Sequence, residues 1–177
     1  WRREDWNRPG DPADFLPAFQ NWDFGWLNVP DLIGRAELIL EYPMVDRDPL
    51  PRWTHGRTTL LGDAAHPMYP IGSNGASQAI IDARTLAYDL ATKATPDAAL
   101  AAYEDARRPA TSQIVLANRA NGPEQVMQMA HERAPDGFAD IHDVIGREEL
   151  EAVTGGYKKL AGFDPESLNA RASLTPA

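Results

Sequence analysis

The residues whose types and spacing could do chemistry are concentrated in one segment, residues 56–91, which reads GRTTLLGDAAHPMYPIGSNGASQAIIDARTLAYDLA. Its predicted order is a short buried strand, a Gly-Asp pair, a proline-rich turn, a glycine-rich loop and a long helix. Asp63 follows Gly62, the glycine that ends the strand. A carboxylate in this place can accept charge-assisted hydrogen bonds from sugar or polyol hydroxyl groups. Alternatively, Asp63 only caps the turn that begins at Ala64.

The glycine-rich loop offers backbone groups rather than side chains. Gly72 and Gly75 would let the backbone approach a flat ligand, because neither residue carries a Cβ atom. The N–H groups of residues 74–76 stand at the start of the long helix, where free donors and the helix dipole favour an anion or a polarised carbonyl. The loop could instead be an ordinary one, with Ser73 or Asn74 as the helix N-cap. Spacing alone does not name the ligand.

The long helix after the loop is predicted from apolar residues that recur at helical spacing beyond Ser73. We expect its alanine-rich face to pack closely against neighbouring elements. This face consists of Ala76, Ala79, Ile80, Ala83, Ala87, Leu90 and Ala91. A second helix should begin with Thr95 as its N-cap and Pro96 in its first position. It should run to about Ala120, with a kink or a break at Pro109.

Shorter elements are predicted on either side of these two helices. Residues 1–35 hold four of the five tryptophans among prolines and aspartates, a pattern typical of short helices and turns. Apolar and charged residues alternate in AELILEYPM, residues 36–44, which predicts a strand, and TTLLGD, residues 58–63, predicts another. The remaining predictions are short helices at 14–19 and 26–33, helices at about 123–133 and 146–160 closed by Gly155 and Gly156, and a disordered tail over residues 169–177.

The composition excludes several classes of function. The chain has 17 lysines and arginines against 26 aspartates and glutamates, a net charge of −9, so we expect no nucleic acid and no anionic membrane surface as partner. It has no cysteine, which excludes disulfides, thiolate metal ligands and a cysteine nucleophile. The four histidines form no HxH or HxxxH pair, so no metal site is expected. No stretch resembles a signal peptide or a membrane span, and we expect a cytoplasmic protein.

Three basic side chains near the motif have open interpretations. Arg107 and Arg108 could bind a carboxylate or a phosphate, although such a pair more often bridges to a residue like Glu104, one helical turn earlier. His66 could act as a base, but a structural histidine that caps the turn is the favoured interpretation. We therefore predict no catalytic side chain.

The 56–91 segment resembles the second flavin motif of the FAD-dependent aromatic hydroxylases, single-component monooxygenases that bind NAD(P)H transiently. That motif runs Gly-Asp, Ala-Ala-His, a proline, a glycine-rich turn and a long helix. It stands here as Gly62-Asp63-Ala64-Ala65-His66-Pro67, followed by Pro70, Gly72, Asn74 and Gly75. The flanks YPMVDRDPLPRW and YEDARRP are similar to the phenazine-1-carboxylate hydroxylase branch, as is the start DWNRPGDPADFLPAFQNWDFGWLNVPDLI. The resemblance covers residues 5 to about 120.

The resemblance implies roles for individual residues. Asp63 would bind the ribityl chain of FAD, and Pro70 would line the flavin near its reacting face. The backbone N–H groups from Gly72 to Ala76 would face the N1 and C2 carbonyl edge of the ring, where reduced flavin carries negative charge. The expected cofactor-binding residues are Gly62, Asp63, Pro70, Gly72, Ser73, Asn74, Gly75 and Ala76. In the family, NAD(P)H reduces the flavin and the reduced flavin then uses O2 to hydroxylate an electron-rich aromatic ring.

The resemblance also implies a fold class, an α+β fragment of an α/β FAD-binding fold. Such a fragment is mostly helical, with one or two short strands left from the substrate-domain and cofactor-domain sheets. Residues 1–55 would end the substrate domain and form a crossover loop, residues 56–94 would be the flavin-contacting part of the FAD domain, and residues 95–177 would form C-terminal helices and a tail. The family's first flavin motif, a GxGxxG that binds the ADP half of FAD, does not occur in these 177 residues.

We therefore expect the C-terminal part of a monooxygenase that is inactive on its own, because binding energy from the ADP half would be lost. Exposed apolar surface would make such a fragment self-associate. Two other interpretations stay open. One is an epoxidase or oxidase relative within the same superfamily, and the other is a non-catalytic helical module that serves in assembly.

Overall fold

A computed structural model describes residues 5–175 of the chain. This part consists of helices joined by turns and loops, and it contains three isolated two-residue bridges but no β-strand. The predicted mostly helical fold class is confirmed. The chain divides into two compact units, one that ends at Met44 and one that begins at Val45.

The first unit contains two short helices, each of which begins at a polar cap. Asp11 accepts a hydrogen bond from the backbone N–H of Ala13, and Asn28 accepts one from that of Asp31. Both helices carry a proline in the first turn, where its missing N–H group costs nothing. They are α1 (Pro12–Phe19) and α2 (Val29–Gly34). The second is shorter than the predicted helix at 26–33, because its cap is Asn28.

The strand predicted over residues 36–44 is wrong for this structure. Among the described residues, this stretch has one antiparallel bridge, between Leu40 and Pro9. Two backbone hydrogen bonds of 2.9 Å flank this bridge, from Gly10 to Ile39 and from Glu41 to Arg8, and the described residues do not continue it into a ladder. The alternating apolar and charged residues therefore lie in a segment that has no neighbouring strand among the described residues.

The second unit is built on an αα-hairpin, in which α3 (Gly75–Thr92) packs against α4 (Pro96–Arg119). Thr95 caps α4 as predicted, since its hydroxyl oxygen accepts a hydrogen bond from the backbone N–H of Ala98. Pro109 lies inside α4, and the helix continues through it. The remaining helices of the described chain are α5 (Gln125–Arg133), α6 (Arg147–Ala161) and α7 (Pro165–Ala170), with 3-10 turns at Gly62–Ala64, Ile71–Ser73, Gly122–Glu124 and Ile141–Asp143.

The buried face of α3 is not the face that the sequence predicted. Its buried side chains are polar, namely Gln78, Asp82, Thr85 and Asp89. Ile80 and Leu90, from the predicted alanine-rich face, are 68% and 51% exposed. The polar face is buried because α4 supplies a matching charged partner, Arg107. Most of the alanine-rich face is exposed, although Ala79 is half-buried against Gly62.

The strand predicted over residues 58–63 is also absent from the structure. Leu61 has extended backbone angles, φ −148° and ψ 145°. The segment's one bridge in the described part of the chain joins Thr58 to His55. A strand needs an adjacent strand to pair its N–H and C=O groups, and no such neighbour lies among residues 5–175. The segment is therefore an extended connection.

Two hydrophobic clusters hold the second unit together. The first packs the connection before α3 against α4, and the hydroxyl of Tyr103 donates a hydrogen bond of 3.1 Å to the carbonyl of Leu60. The second packs α6 against α4. Their buried members are Trp53, Ala65 and Tyr103 in the first cluster, and Ile114, Tyr157 and Ala161 in the second.

Helix α6 ends at Ala161, next to the predicted end at about residue 160, but it passes through Gly155 and Gly156, which were predicted to close it. The residue that stops it is Gly162, which adopts left-handed backbone angles with φ 72°. The first two residues of the predicted disordered tail belong to α7, and residues 171–175 have no regular structure. The final two residues of that prediction lie outside the described part. No helix in residues 5–175 is long and apolar enough to cross a membrane.

Candidate flavin site

Six of the eight predicted cofactor-binding residues line one cavity of about 360 Å³. The cavity lies between the turn that follows the extended connection and the start of α3. Its lining consists of Asp63, Met68, Tyr69, Pro70, Ser73, Asn74, Gly75 and Ala76. Gly62 and Gly72 are not part of the lining, and each is held by a side chain behind the cavity.

Asp63 belongs to the cavity lining, and its carboxylate has no hydrogen-bond or ion-pair partner within residues 5–175. It lies in the 3-10 turn Gly62–Ala64 and is exposed. Its side chain caps no backbone group of that turn. The turn is closed instead by the backbone hydrogen bond from Ala65 to Gly62. The interpretation of Asp63 as a helix cap is therefore wrong, and its carboxylate is available to a ligand.

The start of α3 contributes Asn74, Gly75 and Ala76 to the same cavity lining. Neither Ser73 nor Asn74 caps the helix through its side chain. Within the described residues, the N–H groups of Asn74, Gly75 and Ala76 have no hydrogen-bond partner. Free N–H groups at the start of an 18-residue helix give this end a positive potential. The arrangement suits an anion or a polarised carbonyl.

Gly72 does not present its N–H group to the cavity, contrary to what the family resemblance implied. The N–H donates to both carboxylate oxygens of Glu124, over 2.9 and 3.1 Å. Gly72 and Ser73 both have positive φ, of 72° and 51°. This backbone conformation turns the loop so that the N–H of Gly72 points toward the 3-10 turn Gly122–Glu124. The donors left for a ligand begin at Asn74.

A buried charged network fixes Gly62, the residue before Asp63. The carboxylate of Asp82 accepts hydrogen bonds from the N–H of Gly62 (3.1 Å), from Nε2 of His66 (2.5 Å) and from Nε of Arg107 (2.6 Å). Arg107 also donates to the side-chain oxygen of Gln78 over 2.6 Å. Burial acts to raise the pKa of Asp82, but the hydrogen bonds from His66 and Arg107 hold it below its usual range. The carboxylate therefore stays charged and keeps its donors.

Sequence reasoning missed this network. Arg107 pairs with Asp82 rather than with Glu104, whereas its neighbour Arg108 makes the predicted bridge to Glu104 at 3.2 Å. His66 does not cap the turn but pairs with Asp82. The available signal was the spacing of polar residues on α3, since Gln78, Asp82, Thr85 and Asp89 recur every three or four residues.

No group of three or more histidine, aspartate or glutamate side chains in the described chain is placed to hold a metal ion.

The sequence model of a family described as an FAD binding domain matches residues 44–118. This match includes every residue that lines the cavity. It ends before the turn Gly122–Glu124 and before α6.

Curated relatives match more of the chain. A phenazine 1,6-dicarboxylic acid hydroxylase of Lysobacter antibioticus is 60% identical over 159 residues, which are 90% of this chain and 37% of that protein. A 3-hydroxybenzoate 6-hydroxylase of Aquipseudomonas alcaligenes is 49% identical, over 68% of this chain and 33% of its own length. A 3-amino-4-hydroxybenzoate 2-monooxygenase of Streptomyces platensis is 42% identical, over 70% of this chain and 31% of its own length. The chain thus spans about a third of the length of these relatives.

Proposed function

Since the chain belongs to the FAD-dependent aromatic hydroxylases, in the phenazine hydroxylase branch, we propose that it supplies the flavin-ring side of a monooxygenase. The enzyme would hydroxylate an aromatic or heteroaromatic substrate with FAD, NAD(P)H and O2. One observation carries this proposal. The residues that line one cavity include a carboxylate and three backbone N–H groups that have no partner among the described residues.

The chemistry of these groups fits the inner half of FAD. The ribityl chain carries hydroxyl groups, and these can donate hydrogen bonds to a carboxylate such as that of Asp63. The ring offers the N1 and C2 carbonyl edge, which suits the N–H groups of Asn74, Gly75 and Ala76. The exposed ring of Pro70 lies in the same lining and would pack beside the flavin. The proposed binding set is the predicted one, with Gly62 and Gly72 acting through the backbone conformation they allow.

When bound, FAD supplies the redox chemistry that links NAD(P)H and O2 to hydroxylation of an electron-rich ring. The residues of this chain act on charge and position. The three N–H donors and the dipole of α3 stabilise negative charge at the N1 side of the ring. The Asp82 network keeps Gly62, and with it Asp63, in place. No side chain of this chain needs to act as a nucleophile.

A test in the full-length enzyme that carries this sequence is to replace Asp63 by alanine and by asparagine. We expect the dissociation constant for FAD to rise about tenfold or more for the alanine variant, because charge-assisted hydrogen bonds are lost. The asparagine variant should lie in between. Flavin retention is measured by gel filtration and by the visible absorbance of the eluted protein.

A matched control is Asp105→Ala, which removes another exposed aspartate from α4. This variant should retain flavin like the original enzyme. Unchanged flavin binding in the Asp63 variants would overturn the role proposed for Asp63. A full-length enzyme that purifies without flavin and does not take it up would overturn the proposal as a whole, and favour the non-catalytic interpretation.

The 177-residue chain alone allows a separate test of which half of FAD it contacts. Because the sequence contains no GxGxxG motif for the ADP half, we expect the chain to bind FAD and riboflavin equally weakly and to show no turnover. Quenching of flavin fluorescence on titration measures both affinities. A clear preference for FAD would show that this chain also contacts the ADP half.

A further inference from the structure

Tyr157 of α6 lies directly behind the glycine-rich loop. It is 9% exposed, and its hydroxyl is bonded on two sides. The hydroxyl accepts a hydrogen bond of 2.8 Å from Nδ2 of Asn74 and donates one of 2.6 Å to Oδ1 of Asn118. Burial raises the pKa of Tyr157, so its hydroxyl keeps its proton and its role as donor. The side chain of Asn74, the residue that begins the row of free N–H groups, is therefore fixed by a residue of α6.

The same hydrogen-bond chain reaches a second part of the cavity lining. Nδ2 of Asn118 donates to the backbone carbonyl of Tyr69 over 3.1 Å. Tyr69 and Asn74 both line the flavin cavity. Tyr157 and Asn118 thus link two segments of the lining from outside the cavity, without lining it themselves.

The ring of Tyr157 also restrains the backbone of the loop. A Cβ atom on Gly72 would clash with the Tyr157 hydroxyl oxygen, and one on Gly122 would lie 3.1 Å from Cε2 of the same ring. Only glycine permits this contact. Glu124 adds two hydrogen bonds to the N–H of Gly72 from the same side. Tyr157 and Glu124 therefore hold the backbone of a loop whose other residues line the flavin cavity.

From these contacts we infer that Tyr157 is a positioning residue, which holds the loop so that the N–H groups of Asn74, Gly75 and Ala76 face the cavity. Glu124 and Asn118 act with it. The inference rests on the function proposed above. Tyr157 and Glu124 lie beyond the residues that the FAD binding domain model matches. The C-terminal helices thus take part in shaping the flavin site rather than only enlarging the fold.

The experiment uses Tyr157→Phe in the full-length enzyme, a change that keeps the ring and removes both hydrogen bonds. We expect the dissociation constant for FAD to rise about five- to tenfold, because the buried amides of Asn74 and Asn118 each lose a partner. The visible spectrum of bound flavin should shift, since the donors at the N1 side of the ring move. Glu124→Gln, which weakens the bond to Gly72, should change affinity and spectrum in the same direction.

Tyr103→Phe is the matched control. Tyr103 is also a buried tyrosine, and its hydroxyl donates a hydrogen bond to the carbonyl of Leu60. This variant should lower the melting temperature of the flavin-free protein as Tyr157→Phe does, but leave the spectrum of the flavin unchanged. The inference is overturned if Tyr157→Phe lowers only the melting temperature, or if both variants change the spectrum alike. A parent enzyme that holds no flavin would instead overturn the proposed function, and the two failures are therefore distinguishable.

Discussion

Asp82 is fully buried, yet it stays charged because each group that touches its carboxylate is a donor. Arg107 is the partner whose loss should matter most, since it carries a permanent charge and is itself only 9% exposed. Leaving one member of a buried ion pair without its partner is among the most destabilising single changes. The adjacent Arg108, which pairs with Glu104 at the surface, allows a comparison between neighbouring residues.

We predict that Arg107→Met lowers the free energy of unfolding by about 3 to 5 kcal/mol. Arg108→Met, which removes a partly exposed pair, should lower it by about 1 kcal/mol or less. Urea denaturation of both variants, followed by tryptophan fluorescence, measures the difference. Equal losses for the two arginines would mean that the Asp82 network does not hold the second unit together.

The same network predicts how stability depends on pH. The pKa of Asp82 is lowered in the folded state from its usual 3.8, so the folded protein binds this proton less readily than the unfolded chain. The stability gained from Asp82 is therefore fully present above the unfolded value, and it is lost as the pH falls below about 4 through the folded pKa.

Denaturation curves at several pH values between 7 and 3 should show this loss, and Asp82→Asn should be less stable at neutral pH with a smaller decrease below pH 4. A slope below pH 4 that is the same with and without Asp82 would show that other carboxyl groups cause it.

At the scale of elements, the residues that cap a helix were easier to predict from the sequence than the helix face that is buried. Thr95 and Pro96 mark the start of α4 correctly, because a cap depends on neighbouring residues alone. The buried face of α3 was wrong, because it depends on what lies beside the helix. Apolar periodicity marked Ile80 and Leu90 as buried, whereas the partner that the chain provides is the charged Arg107. Strands failed for the same reason, since residues 58–63 are extended but have no strand beside them among the described residues.

Pro109 lies in the interior of α4, where a proline is expected to destabilise the helix. The helix continues through this exposed proline, which lacks the N–H group for a hydrogen bond to residue 105 and crowds the preceding turn. We predict that Pro109→Ala raises the free energy of unfolding by about 1 to 3 kcal/mol. Pro96→Ala is the control, because a proline in the first position of a helix loses no hydrogen bond. The melting temperatures of the two variants measure the contrast, and a loss of stability in Pro109→Ala would show that the proline is needed to shape α4.

At the scale of the whole molecule, the family was recognisable because the motif is local. Residues 62–76 carry the Gly-Asp pair, the proline and the glycine-rich turn in one stretch, and the comparisons confirmed the resemblance. The cavity could also be predicted, because its lining lies within fifteen residues of sequence. The role of Glu124 and Tyr157 could not, since these residues reach the loop from 52 and 83 positions away along the chain. Such contacts depend on packing, which no local pattern records.

The exposed apolar face of α3 leads to a prediction about self-association of the chain in solution. Ile80 and Leu90 lie with the exposed residues Ala83 and Ala87 on one face of this helix. Apolar surface of this kind favours association, so we predict that the 177-residue chain self-associates through α3 at micromolar concentration. Sedimentation velocity over a range of concentrations should show a rising average mass.

Ile80→Glu should return the chain to a monomer, because association would bury a carboxylate without a partner. Leu38→Glu is a matched control in the first unit, since Leu38 is also 68% exposed but lies outside the helical stripe. It should leave the average mass unchanged. If the two glutamate variants behave alike, the association surface is not α3. If the original chain is monomeric at every concentration, its apolar face is too small to drive association on its own.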